Sequence, residues 1–177
     1  MEVNDNRCFK IQLPNGSVVD VLSSVFEEIR KWVQDTESKP ESGGYIIGYC
    51  HKKSGNYSLE SVSHPYCNDF RSPTRFDILD SQHQIFLNKA RRAKSYYLGV
   101  WHTHPQMIPP PSSVDWTDWR ETLLVDQTGC QYVFFIIAGI VEWRLWVGEF
   151  ETGTIEEVFE CEKNSDGIYL RESNEIQ

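Results

Sequence analysis

The chain has no run of about 18 apolar residues, the length a membrane-crossing helix needs, so none is expected. It has no surplus of positive charge either. Asp and Glu number 26 against 17 Lys and Arg, for a net charge of −9. That balance argues against nucleic acid or an anionic membrane as the main partner, since both attract cationic surfaces. No Cys-x-x-Cys occurs, and the 5 cysteines are odd in number. A disulfide framework is therefore not expected, and a reducing cytoplasm is. No Gly-rich phosphate loop appears, so nucleotide hydrolysis has no support. The opening "MEVNDNRCFK" is polar and acidic, unlike a secretory leader. Internal repeats and low-complexity stretches are lacking too.

What is present suits a soluble folded chain. At 177 residues with 13% aromatics, including 6 Trp, one domain with a real core is expected. That domain is placed at 1–162, with a polar C-terminal tail at 163–177 that frays.

"CFKIQL" and "SVVDVL" flank Pro14, Asn15 and Gly16, which predicts an N-terminal hairpin over about 8–22. Leu22, Val25, Phe26, Ile29 and Trp32 recur at helical spacing, with Ser24 and Glu27 as a capping box and an end near Asp35. "GYIIGYC" and "YSLESVS" read as strands, and Ser63–Thr74 as a polar segment without clear period. A second helix is predicted from about Phe76 to Ala93, burying Ile78, Gln82, Ile85, Phe86 and Ala90. "YYLGVWHTH" reads as a strand, "SSVDWTDWRETLL" as a short helix, and "YVFFIIA", "VEWRLWV" and "TIEEVFEC" as three more strands. The order β-β-α-β-β-α-β-α-β-β-β predicts an α+β or mixed α/β sandwich around one main sheet.

The stretch "HTHPQMIPPPSSVD" concentrates the chemistry. Residues two apart on a strand share a face, so His102 and His104 can reach one point. Histidine nitrogens and a carboxylate oxygen are common zinc ligands, and a catalytic site keeps one position for water. Asp115 becomes a third ligand if the loop through Pro109, Pro110 and Pro111 folds back, and proline holds such a path stiffly. Ser112 sits near the start of the helix. "PESGGYIIG" supplies Glu41 as a base, ahead of glycines that permit close backbone approach. Each piece has a plainer reading: a surface His pair, a helix N-cap with an acidic first turn, a solvated loop carboxylate, a linker. Their conjunction is harder to obtain by chance. His51, His64 and His83 lack ligand spacing and read as surface or helix-face residues. The cysteines read as small core residues, since no base is evident for a nucleophile. Trp116 and Trp119 read as core packing.

An upstream Glu, then His-x-His-Pro, then Ser-x-x-Asp resembles the JAMM (JAB/MPN+) metalloprotease signature. The matching residues are Glu41, His102, His104, Ser112 and Asp115, and the likeness runs from about Leu22 to Cys161. "GGYIIG" and "YLGVWHTHP…PPPSSVDW" look most like the compact prokaryotic JAB branch. Some of its members are encoded beside E1- and E2-like proteins in antiphage operons with a cGAS-like cyclase. RadC-type JAB proteins share the second half of the pattern but lack the Glu-x-Gly-Gly strand. The resemblance implies a single JAB/MPN-like domain with a central, mostly antiparallel sheet flanked by helices. It implies one Zn²⁺ per chain, on His102, His104 and Asp115. Glu41 would be the general base and Ser112 the oxyanion donor. The substrate would be an isopeptide or peptide bond at the C-terminus of a ubiquitin-like or other conjugated protein. The extended tail of that substrate would lie along Ser63–Arg75, touching Tyr66 and Phe70, with Trp101 near the site. Two alternatives stay open: processing of a sulfur-carrier or precursor protein, and a binding module whose metal is structural or absent.

Overall fold

A strand can be apolar at every position only where both faces of its sheet are covered. In the computed structural model, which describes residues 8–125 and 128–159, Tyr132–Ala138 is such a strand and is buried throughout. The chain runs β1 (Cys8–Gln12), β2 (Val18–Leu22), α1 (Ser23–Arg30), β3 (Gly43–His51) and β4 (Asn56–Val62). It continues through β5 (Phe70–Ser72), β6 (Arg75–Asp77), α2 (Gln82–Arg92), β7 (Tyr96–Thr103) and α3 (Ser113–Val125). It closes with β8 (Tyr132–Ala138), β9 (Trp143–Glu149) and β10 (Ile155–Val158). Eight strands form one sheet in the order β1-β2-β4-β3-β7-β8-β9-β10, and β5 and β6 form a separate hairpin. The β2–β4 and β7–β8 pairs are parallel and the other pairs of the large sheet antiparallel. This is the expected α+β fold with a mostly antiparallel sheet.

Strand alternation divides the core. Phe134 and Ile136 face one side, where Val25, Phe26 and Ile29 of α1 close the layer. Val133, Phe135 and Ile137 face the other, beneath Trp119 of α3. Trp119 stacks on Phe135 at 4.9 Å between ring centroids, and Trp116 packs at its side, as the helical spacing of the two tryptophans predicts. The parallel β7–β8 pair needs a crossover, and α3 supplies it. The loop that follows His104 therefore leaves the sheet and returns over it.

Several local expectations are corrected. The Ser24–Glu27 capping box does not form, because Ser24 Oγ donates instead to the Glu60 carbonyl of the neighbouring strand. Helix α1 ends at Arg30 rather than near Asp35. Helix α2 begins at Gln82, since Phe76 belongs to β6 and its ring lies against Gly43. Its buried positions are His83 and Ala90, while Gln82 and Ile85 are exposed. The polar segment Ser63–Thr74, which shows no clear period, contains β5, and β5 makes a hairpin with β6. Cys67 is exposed rather than in the core, with Cys50 and Cys130 half-buried. The proposed C-terminal tail lies outside the described residues.

Candidate active site

The pairing of β3 with β7 sets the site. Gly43 lies opposite His102, so Glu41, two residues earlier, arrives beside His104. The glycines make this approach possible: a Cβ on Gly43 would lie 2.6 Å from the Trp101 carbonyl, and one on Gly44 would lie 2.2 Å from the Ser63 carbonyl. From the other side, the proline loop brings the first turn of α3 over the end of β7. Ser112 and Asp115 cap each other there. The Ser112 N–H donates to Asp115 Oδ2 at 2.6 Å, and the Asp115 N–H donates to Ser112 Oγ at 3.1 Å.

Three donor atoms converge. His102 Nε2 lies 3.0 Å from His104 Nε2 and 3.1 Å from Asp115 Oδ1, and His104 Nε2 lies 3.3 Å from Asp115 Oδ2. Tetrahedral zinc with ligand bonds of about 2.0–2.1 Å places neighbouring donors about 3.3 Å apart. The spacing and the donor set therefore fit a divalent cation. The Glu41 carboxylate stands 3.9 Å from His104 Nε2, just outside that cluster.

The electrostatics are those of charges held close under partial cover. Burial raises the Glu41 carboxyl above its usual range, and the two imidazoles only partly offset it. Burial also opposes ionisation of Asp115, but hydrogen bonds from His102, His104 and the Ser112 N–H more than compensate and hold it well below the carboxylate range. Burial pulls His102 down, while the Asp115 hydrogen bond and charge, with Glu41 and Asp118 behind, leave it raised. A carboxylate that stays ionised between two imidazoles is what a cation site requires.

A cleft of about 200 Å³ opens onto this cluster, walled by the β5–β6 hairpin on one side and α3 on the other. Arg75 ties the walls together, bonding Asp118 of α3 at 2.9 Å and Asp77 at 2.5 Å. Of the residues read as substrate contacts, Phe70 is 49% exposed on the hairpin. Tyr66 is half-buried, its ring against His64 and His83. Trp101 is 1% exposed, packs in the core face of β7, and donates its indole N–H to the Ser63 carbonyl at 2.8 Å. Its ring underlies the site, and the residue forms part of the lining of the cleft.

A buried network went unread in the sequence. His83 is 1% exposed, not on the surface. Its Nε2 meets Asp69 Oδ2 at 2.7 Å and its Nδ1 meets Ser63 Oγ at 2.8 Å. Asp69 also accepts the backbone N–H groups of Tyr66, Leu79 and Asp80. The three side chains have the order of a hydrolase triad, but Ser63 is itself 1% exposed and its Oγ already accepts the Tyr45 N–H at 2.8 Å. No acyl group can reach it. The network instead anchors the start of the hairpin segment to α2 and the end of β4.

The sequence matches the family model for prokaryotic homologs of the JAB domain over residues 22–147. A "CD-NTase/cGAS isopeptidase" from Vibrio cholerae is 30% identical over 137 residues, covering 76% of this chain and 83% of that protein. A protein of the same name from Escherichia coli is 26% identical, covering 74% and 81%, and one from Pseudomonas aeruginosa is 32% identical, covering 60% and 68%. The solution structure of protein DSY2949 from Desulfitobacterium hafniense shares the fold, with a TM-score of 0.53 at 19% identity over 86% of this chain and 92% of that one. The family match takes in β3, β7, α3 and every residue of the cluster, and the chain belongs to the prokaryotic homologs of the JAB domain.

Proposed function

We propose that the protein is a zinc-dependent isopeptidase that releases a protein conjugated through its C-terminus, a CD-NTase or a ubiquitin-like modifier, and so reverses E1/E2-type conjugation in antiphage signalling. The observation that carries this reading is the convergence of His102, His104 and Asp115 with Glu41 standing just beyond them. The names of the relatives support the substrate class.

When bound by His102, His104 and Asp115, zinc would lower the pKa of water and polarise a scissile carbonyl. The chain supplies the rest. Glu41, raised by burial, takes a proton from the attacking water on its carboxylate and returns it to the leaving amine. Ser112 Oγ accepts the Asp115 N–H, which leaves its own proton free to donate to the tetrahedral oxyanion. The edge of β6 turned away from β5 pairs with no strand among the described residues. An extended substrate tail can add there as a third strand and run down the cleft toward Glu41.

The test uses a CD-NTase joined by its C-terminal carboxyl to a lysine ε-amine of a carrier protein. The wild type with one equivalent of zinc is expected to release both proteins intact. His104→Ala is expected to lose zinc and turnover together. Undiminished stoichiometric zinc in His104→Ala rejects the ligand set. A zinc-loaded wild type that binds the conjugate without cleaving it points to a binding module instead.

A further inference from the structure

The Glu41 side chain has little of its own to hold it. The nearest imidazole nitrogen is 3.9 Å away, too far for a direct hydrogen bond. Where its carboxylate points therefore depends on the backbone that carries it, and that backbone lies just before the start of β3.

The backbone is gripped from two sides. On the hairpin side, the Glu41 N–H donates to the Ser72 carbonyl at 2.8 Å. The Arg71 guanidinium donates through Nε to the Glu41 carbonyl at 2.8 Å and through Nη2 to Ser42 Oγ at 2.6 Å. On the β7 side, the Ser42 N–H donates to Thr103 Oγ1 at 3.0 Å, and the Thr103 N–H donates to the Ser42 carbonyl at 2.9 Å. Thr103 stands between the two histidines. Its hydroxyl donates to Gln34 Oε1 at 2.9 Å, and the Gln34 amide donates to the Lys39 and Pro73 carbonyls. Gln34, Ser42 and Thr103 are all 0% exposed.

Arg71 is the unusual member. A guanidinium commonly forks onto a carboxylate. Here it forks onto a carbonyl and a hydroxyl of consecutive residues, with its carbon 5.4 Å from the centre of the Trp32 ring. The bonds to the Glu41 carbonyl and the Ser42 hydroxyl, with the Pro40 carbonyl 3.5 Å from Nη2, hold the backbone at that peptide from more than one point, which a single donor cannot do.

We propose that Arg71 is a positioning residue for the base, clamping the Glu41–Ser42 peptide so that the Glu41 carboxylate is held against the metal cluster. This rests on the isopeptidase reading above. Displacing a reacting group by about 1 Å can cost about 100-fold in rate. Arg71→Ala is therefore expected to lower kcat about 10–100-fold on the conjugate, with KM little changed and zinc stoichiometry retained. Arg71→Lys keeps the charge and stem but loses the fork, so it is expected to fall nearly as far.

A double-mutant cycle with Glu41→Gln decides how Arg71 acts. Once the base is gone, Arg71→Ala is expected to cost nothing further in kcat. Independently of turnover, the Ser42 amide in the zinc-loaded variant is expected to exchange its hydrogen faster than in the wild type. Losses that multiply across the cycle overturn the proposal, since Arg71 would then act elsewhere. A raised KM with kcat intact overturns it in favour of substrate contact. Full activity in Arg71→Lys overturns the requirement for the fork. An active wild type with an unimpaired Arg71→Ala sinks this inference alone. A wild type that cleaves nothing sinks the isopeptidase reading and this one together.

Discussion

Glu41, Ser112 and Asp69 illustrate three ways in which one side chain matters. Replacing Glu41 by Gln removes a proton acceptor without touching the three converging donors, so turnover is expected to fall to a small measurable remainder while zinc analysis still finds one equivalent. Loss of zinc in Glu41→Gln would make Glu41 a ligand instead. Ser112→Ala is expected to lower kcat about 100–1,000-fold with little change in KM, because an oxyanion exists only in the transition state. Ser112 also caps α3, so denaturant unfolding of the same variant should show a loss of about 1 kcal/mol. Asp69 belongs to stability rather than chemistry. Burial opposes its ionisation, but the N–H groups of Tyr66, Asp80 and Leu79 and the His83 ring outweigh that and depress its pKa. The stability this gives is present above the unfolded value of about 3.9 and is lost as pH falls through the depressed folded value. Asp69→Asn is expected to unfold about 1.5–3 kcal/mol more easily near neutrality, with the gap to wild type narrowing in urea titrations as pH falls below the unfolded value of about 3.9.

At the scale of elements, the chain's local signals held where nothing else competed for them. The β1–β2 hairpin and the all-buried β8 follow from turn residues and from apolar runs. The capping box failed because the Glu60 carbonyl, far away in sequence, took the Ser24 hydroxyl first. Helix α2 starts late because Phe76 is drawn onto the glycine-lined start of β3, an attraction that no helical period can reveal. The hairpin itself is short and polar, and two three-residue strands carry too little alternation to be read. Its exposed Phe70 carries the prediction at this scale. Phe70→Ala is expected to raise KM for a protein conjugate roughly fivefold, for about 1 kcal/mol of lost apolar contact, leaving kcat, zinc content and melting temperature near wild type. Steady-state kinetics on the conjugate check it, and an unmoved KM would place tail recognition on another edge. Tyr66 is unsuitable for that test, since its ring packs on His83 and its removal would loosen the hairpin's anchor.

At the scale of the whole molecule, the His102–His104–Asp115 cluster sits at the end of β7, outside a core that closes on both faces of the sheet without it. The fold should therefore stand with the cluster empty, unlike small domains that fold only around their metal. Chelation is expected to abolish cleavage while circular dichroism keeps its native form and thermal unfolding stays cooperative. A chelated protein that lost its ordered far-ultraviolet spectrum would make the metal structural.

The sequence by itself determined what lies close along the chain. His102 and His104 share a strand face, Ser112 and Asp115 share a helix start, and three prolines join them, so four of the five motif residues were legible within one stretch. Glu41 was legible as a candidate base ahead of a glycine-rich strand start, but not its place beside His104, since the β3–β7 register that brings it there is a long-range pairing. What tertiary structure alone decided were the contacts made across that distance. The Ser63–His83–Asp69 network joins residues 14 and 20 positions apart, and the Arg71 clamp reaches 30 positions back to Glu41. Neither has a period or a fixed spacing. Hydrogen-bonding side chains of these types are common at any surface, and only burial, which folding imposes, obliges each of them to find its partner.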